Sequence, residues 1–300
     1  MKMLRRFLLG SWMVALAWTL QVASTFAADS LPNEKPGWKL VWSDEFSQPG
    51  LPDPTRWNYE KGFIRNGELQ YYTAGRQENA RVENGHLVIE GRHERFANPE
   101  HRADGPATSR AGRSNAAFAD YTSASLTTKD RASWTYGRIE VRAQLPTARG
   151  TWPAIWMLGT NMTQVGWPSC GEIDIMEFVG FDPGVVHANI HTKAYNHVMK
   201  TGKGSSTRVP DASEAFHVYA VEWSPQALKF FVDDKNYFTY ANDGAGNASW
   251  PFDRDHYLIL NLAIGGAWGG QKGVDEAAFP QKYEIDYVRV YRAAASPSTK

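Results

Sequence analysis

The sequence predicts an all-β protein, with two antiparallel sheets packed face to face in one domain. Short runs rich in Val, Ile, Tyr, Phe and Trp recur along the chain, several of them alternate apolar and polar residues, and turn residues stand between them. No long segment carries a helical period, and no internal repeat is visible. In chain order the runs include Lys39 to Trp42, Leu87 to Gly91, Gly137 to Gln144, His217 to Trp223, Leu228 to Val232 and Tyr283 to Tyr291. Within Arg138-Ile139-Glu140-Val141-Arg142-Ala143 every second residue is apolar, as a half-buried strand requires. Glu83-Asn84-Gly85, Asp233-Asp234-Lys235 and Ala245-Gly246-Asn247 supply the turns. Two stretches poor in apolar residues, Arg92 to Ala119 and Asn196 to Ser213, read as long loops at the rim of a cleft or as solvated insertions.

Residues 1–28 differ from the rest. Lys2, Arg5 and Arg6 precede the apolar run Phe7 to Ala23, and small residues follow, the pattern of a secretory signal peptide. Cleavage after Ala27 fits the preference for small residues, with Thr25 and Ala27 at the key positions. The competing reading is an uncleaved anchor, since an apolar run of about 17 residues is near the lower limit for a membrane span. Residues 29–292 form the expected main domain and residues 293–300 a frayed tail, in a protein delivered to a periplasm or to the outside of the cell.

The 300 residues carry 32 basic and 32 acidic side chains, which excludes a strongly basic nucleic-acid binder and an acidic disordered tail. Removal of the signal segment leaves 29 bases against 32 acids, a surface ill suited to a highly sulfated polyanion. The single cysteine, Cys170, excludes an intrachain disulfide framework and a four-cysteine zinc site, and reads as a buried thiol. Twelve Trp, 13 Tyr and 14 Phe are the unusual feature, suited to a β-rich core or a sugar-binding cleft.

The sharpest local signal is Gly171-Glu172-Ile173-Asp174-Ile175-Met176-Glu177-Phe178-Val179-Gly180, three acids in an otherwise apolar run. Each buried acid costs several kcal/mol to desolvate, so a strand carries them only for a reason. Glu172 and Asp174 share a strand face, whereas strict alternation sends Glu177 to the other. One extra residue, a bulge at Ile175-Met176, returns it to the first face. On a helix the five-residue step turns the side chain by roughly 140°, and the acids diverge. With the bulge, the outer Cα atoms lie on the order of 13 Å apart, a gap two leaning Glu side chains can close. Two carboxyls about 5–5.5 Å apart, one nucleophile and one acid/base, are what a retaining glycosidase needs. Asp174 between them can hold their protonation states apart. The other reading of the cluster is a salt-bridged edge strand.

Trp134, Trp152, Trp156, Trp167 and Trp268 stand in or beside Gly-rich or turn segments, where an indole face can stack on a sugar ring. Core packing is the alternative for each, and the better reading for Trp42 and Trp223. Asn66, Glu68 and Gln70 alternate, so they can share a face as hydroxyl-binding groups. His187 and His191 share a face if that segment is a strand. They read as hydrogen-bonding residues near the cleft rather than as a metal pair, for want of an evident third ligand.

At these residues the sequence resembles glycoside hydrolase family 16, and within it the laminarinase-like endo-β-1,3-glucanases. The resemblance runs from Trp42-Ser43-Asp44-Glu45-Phe46 through Asn66-Gly67-Glu68-Leu69-Gln70-Tyr71-Tyr72-Thr73 and Gly150-Thr151-Trp152-Pro153-Ala154-Ile155-Trp156 to Tyr283-Glu284-Ile285-Asp286-Tyr287-Val288. The Met-containing, bulged form of the acid motif resembles the laminarinase, agarase and carrageenase branches. The Trp152/Trp156 pair and the segment His187 to Asn196 resemble laminarinases. The resemblance implies a concanavalin A-like β-jelly-roll sandwich and a cleft for a β-glucan polysaccharide. It implies Glu172 as nucleophile, Glu177 as acid/base and Asp174 as their assistant. Trp152, Trp156 and Trp268 would line glucosyl subsites with Asn66, Glu68 and His191 nearby. It implies no cofactor for catalysis, a structural Ca2+ at Glu45, Gly85 and Asp286, and a monomer without a protein partner. One departure concerns Ser125, where many laminarinases carry Arg. Mixed-linkage glucan, agarose or carrageenan as substrate, transglycosylation, and a non-catalytic glucan-binding module on the same sandwich are the competing functions. The last of these has no use for both Glu172 and Glu177.

Overall fold

The computed structural model describes residues 35–106 and 115–294. The predicted signal peptide therefore lies outside the described residues, as do residues 295–300 of the predicted tail.

The apolar alternation read from the sequence builds two sheets. The first contains β1 (Trp38–Asp44), β3 (Gln70–Tyr72), β4 (Ala80–Glu83), β5 (His86–Ala97), β6 (Phe118–Ser123), β8 (Gly137–Gln144), β13 (His217–Trp223), β14 (Ala227–Val232), β15 (Lys235–Ala241) and β17 (Gln281–Ala293). Its main path runs β15-β14-β13-β8-β17-β5-β6-β3, with β1 added on β17 and β4 on β5. The second contains β2 (Asn58–Glu60), β7 (Ser125–Thr127), β9 (Thr151–Gly159), β10 (Glu172–Phe178), β11 (Val185–His191), β12 (Lys203–Arg208) and β16 (His256–Ile264), in the order β12-β11-β10-β9-β16-β7-β2. The two helical elements described, α1 (Met162–Val165) and a 3-10 turn at Glu276–Ala278, are single turns.

The core lies between the sheets. Leu87, Ile89, Ile139, Val141, Tyr219, Val221, Val288 and Val290 of the first sheet meet Leu126, Ile155, Met157, Ile173, Ile175, Leu258 and Leu260 of the second. Burying a side chain of this size is worth about 1.5–3 kcal/mol. A smaller cluster, including Ala154, Trp156, Leu158, Tyr257 and Ile259, covers the other face of the second sheet. Trp134, grouped with the turn-flanked tryptophans in the sequence, is 7% exposed and packs edge-on to Trp42, so it belongs to the core.

Two predicted turns close hairpins. Asn84 (φ 54°) and Gly85 (φ 79°) join β4 to β5, and Asp233 (φ 48°) and Asp234 (φ 63°) join β14 to β15. Paired left-handed residues match the twist of the flanking strands. The loop boundaries differ from the sequence reading. β5 continues to Ala97, and β12 lies within the segment read as a loop from Asn196 to Ser213. Both pieces are polar because they are exposed, and β12 is an edge strand paired with β11 alone. β17 runs to Ala293, opposite Trp38, and Ala294 N–H donates to Gly37, so pairing continues past the predicted start of the tail.

Candidate active site

β10 carries the three acids at the middle of the second sheet, flanked by β9 and β11. Glu172 pairs with His191 and Asp174 with Asn189, but the next partners are Glu177 and His187. The register against β9 shifts in the same place, between Asp174 and Met176. The cause is apolar: Ile175 and Met176 are consecutive and both sit in the core with Ile173 and Phe178. Two successive residues on one side force the bulge, which returns Glu177 to the face of Glu172 and Asp174.

Each outer acid has its own donors. Trp167 Nε1 donates to Glu172 Oε2 at 2.9 Å. Trp152 Nε1 donates to Glu177 Oε1 at 3.2 Å, and Asn189 Nδ2 donates to Oε2 at 2.8 Å. His191 Nε2 stands 3.3 Å from Asp174 Oδ2 and 3.6 Å from Glu172 Oε1. Burial dominates the protonation of all three acids. It pushes Glu172 up to about 8, helped by the charge of Asp174 and opposed by His191 and Trp167. It holds Asp174 well above the usual carboxylate range, with the Glu177 charge adding to the effect. Glu177 is raised by burial, against the hydrogen bonds from Asn189 and Trp152.

The predicted aromatic residues divide. Trp152 and Trp268 meet edge-on with ring centroids 5.6 Å apart, and Trp268 reaches His187 at 5.0 Å. Trp156 is 8% exposed, donates to Asn261 Oδ1 at 2.8 Å and lies beneath the Arg65 guanidinium, so its ring forms wall rather than an open platform. Asn66 and Glu68 do share a network. Asn66 Nδ2 donates to Glu68 Oε1 at 3.2 Å, and Gln70 Nε2 donates to Oε2 at 2.8 Å. Asn66 and Glu68 line a cavity of about 1010 Å3 with Tyr121, Gly265 and Gly266, and neither Gln70 nor any of the three β10 acids is among its lining residues. Ser125 is fully buried, and its hydroxyl donates to Glu60 Oε2 at 2.7 Å. Glu60 in turn holds Arg65.

The proposed calcium ligands are largely occupied by arginine. Glu45 accepts two hydrogen bonds from Arg289, at 3.0 and 2.8 Å, and Asp286 Oδ2 accepts from Arg142 at 2.5 Å. Glu45 therefore has no free carboxylate for a cation, and only its main-chain oxygen remains for one. Cys170 is buried, and burial pushes its thiol up to about 11, away from any nucleophilic role.

Trp167, Asn189 and Arg65 were not assigned from the sequence. Asn189 was findable, because it lies between His187 and His191 on the alternating face of β11. Trp167 is read from the sequence as a sugar-stacking face, and nothing there marks its hydrogen bond to Glu172. Arg65 has no local pattern to mark it.

A model of glycosyl hydrolases family 16 matches residues 68–289. The chain belongs to this family. It is 48% identical over 300 residues to a β-glucanase of Rhodothermus marinus, covering 97% of this chain and 96% of that protein. The solved laminarinase from Rhodothermus marinus superposes with a TM-score of 0.77 at 51% identity, covering 87% of this chain and all of that one. SCLam, a non-specific endo-β-1,3(4)-glucanase, superposes with a TM-score of 0.76 at 48% identity, covering 87% of this chain and 93% of its own. The expected jelly-roll sandwich and glycoside hydrolase class therefore hold.

Proposed function

We propose that this family 16 enzyme hydrolyses internal β-1,3-glucosidic bonds with retention, Glu172 attacking and Glu177 serving as acid and then base. The observation that carries the reading is the bulge in β10, which sets both glutamates on one face while giving each a separate set of donors. Protonated Glu177 gives its proton to the leaving glycosidic oxygen as Glu172 bonds to the anomeric carbon. The ionised Glu177 then takes a proton from water, and the resulting hydroxide equivalent displaces Glu172.

Asp174 lies between the two glutamates on the same face, placed to tune Glu172. Burial and the Asp174 charge raise Glu172, while burial raises Asp174 against the hydrogen bond it shares with Glu172. Trp152 and Trp268 supply sugar-binding surface beside Glu177, His191 stands beside Glu172, and Asn66 and Glu68 act further along the cleft.

The test is reducing-end release by the purified mature chain on β-1,3-glucan, with mixed-linkage β-glucan and agarose in parallel and Glu172→Gln as control. Rapid release from β-1,3-glucan that the control lacks is expected. Substantial activity in a folded Glu172→Gln protein would overturn the assignment of the nucleophile. The likeness to a non-specific endo-β-1,3(4)-glucanase makes mixed-linkage β-glucan the second substrate. Products longer than the input would indicate transfer instead of hydrolysis.

Three coarser expectations belong with this reading. Cleavage after Ala27 exports the chain, and the N-terminal residue of the secreted protein tests it. The mature enzyme acts as a monomer, which light scattering checks. A structural calcium binds main-chain oxygens of Glu45 and Gly85 with the Asp286 carboxylate. A melting temperature unmoved by calcium would remove that site.

A further inference from the structure

Glu172, Asp174 and His191 bring one donor atom each to within 4.8 Å of one another. Of the two histidines considered as a metal pair in the sequence only His191 takes part, and β10 supplies two carboxylates from across the β10–β11 pairing. His191 Nε2 lies 3.3 Å from Asp174 Oδ2 and 3.6 Å from Glu172 Oε1. In a tetrahedral zinc site with metal–ligand bonds of roughly 2.0–2.1 Å, neighbouring donors are about 3.3 Å apart. These two separations therefore already approach the edges of a coordination tetrahedron.

A second observation separates this cluster from an ordinary group of acids. Asp174 is 3% exposed, and its Oδ2 accepts no hydrogen bond. That oxygen faces His191 Nε2. An orphaned buried carboxylate oxygen is costly, and a cation is one of the few partners that satisfies it. His191 Nδ1 makes no hydrogen bond either, so nothing in the fold reserves Nε2 as the protonated nitrogen. In the tautomer with the proton on Nδ1, Nε2 presents its lone pair to the two carboxylates.

We propose that Glu172, Asp174 and His191 form an inhibitory site for a divalent transition-metal ion, of which Zn2+ is the representative. One imidazole and two carboxylates suit zinc, and the nitrogen donor makes the set a poor one for magnesium or calcium. Three protein ligands leave a fourth position open to water. Two other imidazoles among the described residues stand between two acids, and neither competes: His86 meets Glu284 at 3.7 Å through Nδ1 and Asp286 at 3.8 Å through Nε2, and His217 is held in the same way. Asp233 lies 2.6 Å from its Nδ1 and Asp211 3.2 Å from its Nε2, on opposite sides of the ring, so one ion cannot gather all three. The inhibitory consequence rests on the reading of Glu172 as the nucleophile, because a carboxylate bound to metal cannot attack. The binding itself does not depend on that reading.

The experiment titrates the metal-stripped mature protein with ZnCl2 by calorimetry and, separately, measures β-1,3-glucan hydrolysis against ZnCl2 with chelator reversal. One ion per chain at this site and reversible inhibition over the same concentration range are expected. Asp174→Asn and His191→Gln should each weaken zinc binding by more than about tenfold, read by calorimetry because these variants also alter turnover. His217→Gln should leave binding and inhibition unchanged. Cooperative melting shows that each variant is folded, and Glu172→Gln replaces either one that is not. Absence of a saturable binding heat, or wild-type affinity in the folded Asp174 and His191 variants, would overturn the site. Binding that these variants abolish, without inhibition of the wild type, would leave the site standing and remove Glu172 from the reaction.

Discussion

The guanidinium of Arg65 lies 4.9 Å from the centroid of the Trp156 ring. It is also paired with Glu60, which accepts the Ser125 hydroxyl, and stands close enough to Glu68 for that carboxylate to raise its pKa. Where the family resemblance leads one to expect Arg at position 125, a buried serine holds the acid that holds Arg65. The positive charge in this part of the wall therefore comes from the segment after β2. Arg65→Ala should uncover the Trp156 face and remove the charge partner of Glu60 and Glu68, which keep only their neutral donors, with a loss of about 1–3 kcal/mol in stability. Denaturant unfolding reads this as a lower midpoint at unchanged slope. A loss below about 0.5 kcal/mol, the range of ordinary surface changes, would show that Arg65 does not brace the wall.

Asn189 tunes the proposed acid. Its amide donates to Glu177 Oε2 at 2.8 Å, which favours the charged carboxylate. Asn189→Ala removes that donor, so the Glu177 pKa rises and the proton is retained to higher pH. The alkaline limb of the kcat/KM profile should therefore move upward. Gly204 gives an independent route to the same group. A Cβ there would lie 2.0 Å from Asn189 Oδ1 and 2.6 Å from the Ala188 carbonyl oxygen. Gly204→Ala must push β12 and Asn189 apart, and should shift the same limb in the same direction. A fixed limb in both variants would separate Asn189 from the acid.

These residues also show where sequence reading stops. The strands with core partners on one face were visible because alternation is imposed by the core, as at Ile139 and Val141 of β8. The β10 bulge was visible because three acids on an apolar strand leave few alternatives. β12, Lys-Gly-Ser-Ser-Thr-Arg, was not visible, because an exposed edge strand has no apolar face to write into its sequence. Arg65 was hidden for a different reason. Its partners Glu60 and Trp156, and the Ser125 that holds Glu60, come from three separate strands, and only the register of β2, β7, β16 and β9 brings them together.

The buried acids make stability depend on pH in a direction opposite to that of a salt-bridged carboxylate. Folding raises Glu172 from its ordinary value of 4.5 to about 8. A carboxyl raised in this way favours the fold fully below about 4.5, and that contribution is lost as pH climbs to about 8. Because the Asp174 and Glu177 charges also act on Glu172, the window belongs to the three acids together. Glu172→Gln removes the ionisation. Its melting temperature should resemble that of the wild type near pH 4.5 and exceed it increasingly toward pH 8. Thermal unfolding of both proteins across this range makes the comparison. A difference that does not change with pH would show that Glu172 ionises as freely in the fold as in the unfolded chain.

Glu177→Ala separates the two glutamates by chemistry. The glucan leaving group is an alkoxide and needs a proton, whereas an activated aryl leaving group departs with little help. Loss of the acid should therefore slow polymer hydrolysis by about 10²–10⁴-fold, the usual contribution of general acid–base catalysis. Formation of the glycosyl-enzyme from an aryl β-glucoside oligosaccharide should be spared. Its breakdown should remain slow, because Glu177 is also the base that activates water, so a burst of aryl alcohol followed by a low steady rate is expected. Glu172→Gln should give no burst on either substrate, since no covalent bond forms. Burst kinetics in the Glu172 variant and none in the Glu177 variant would exchange the two roles. Equal losses on both substrates in the Glu177 variant would deny it the acid role, leaving its bonds to Trp152 and Asn189 as a means of positioning alone.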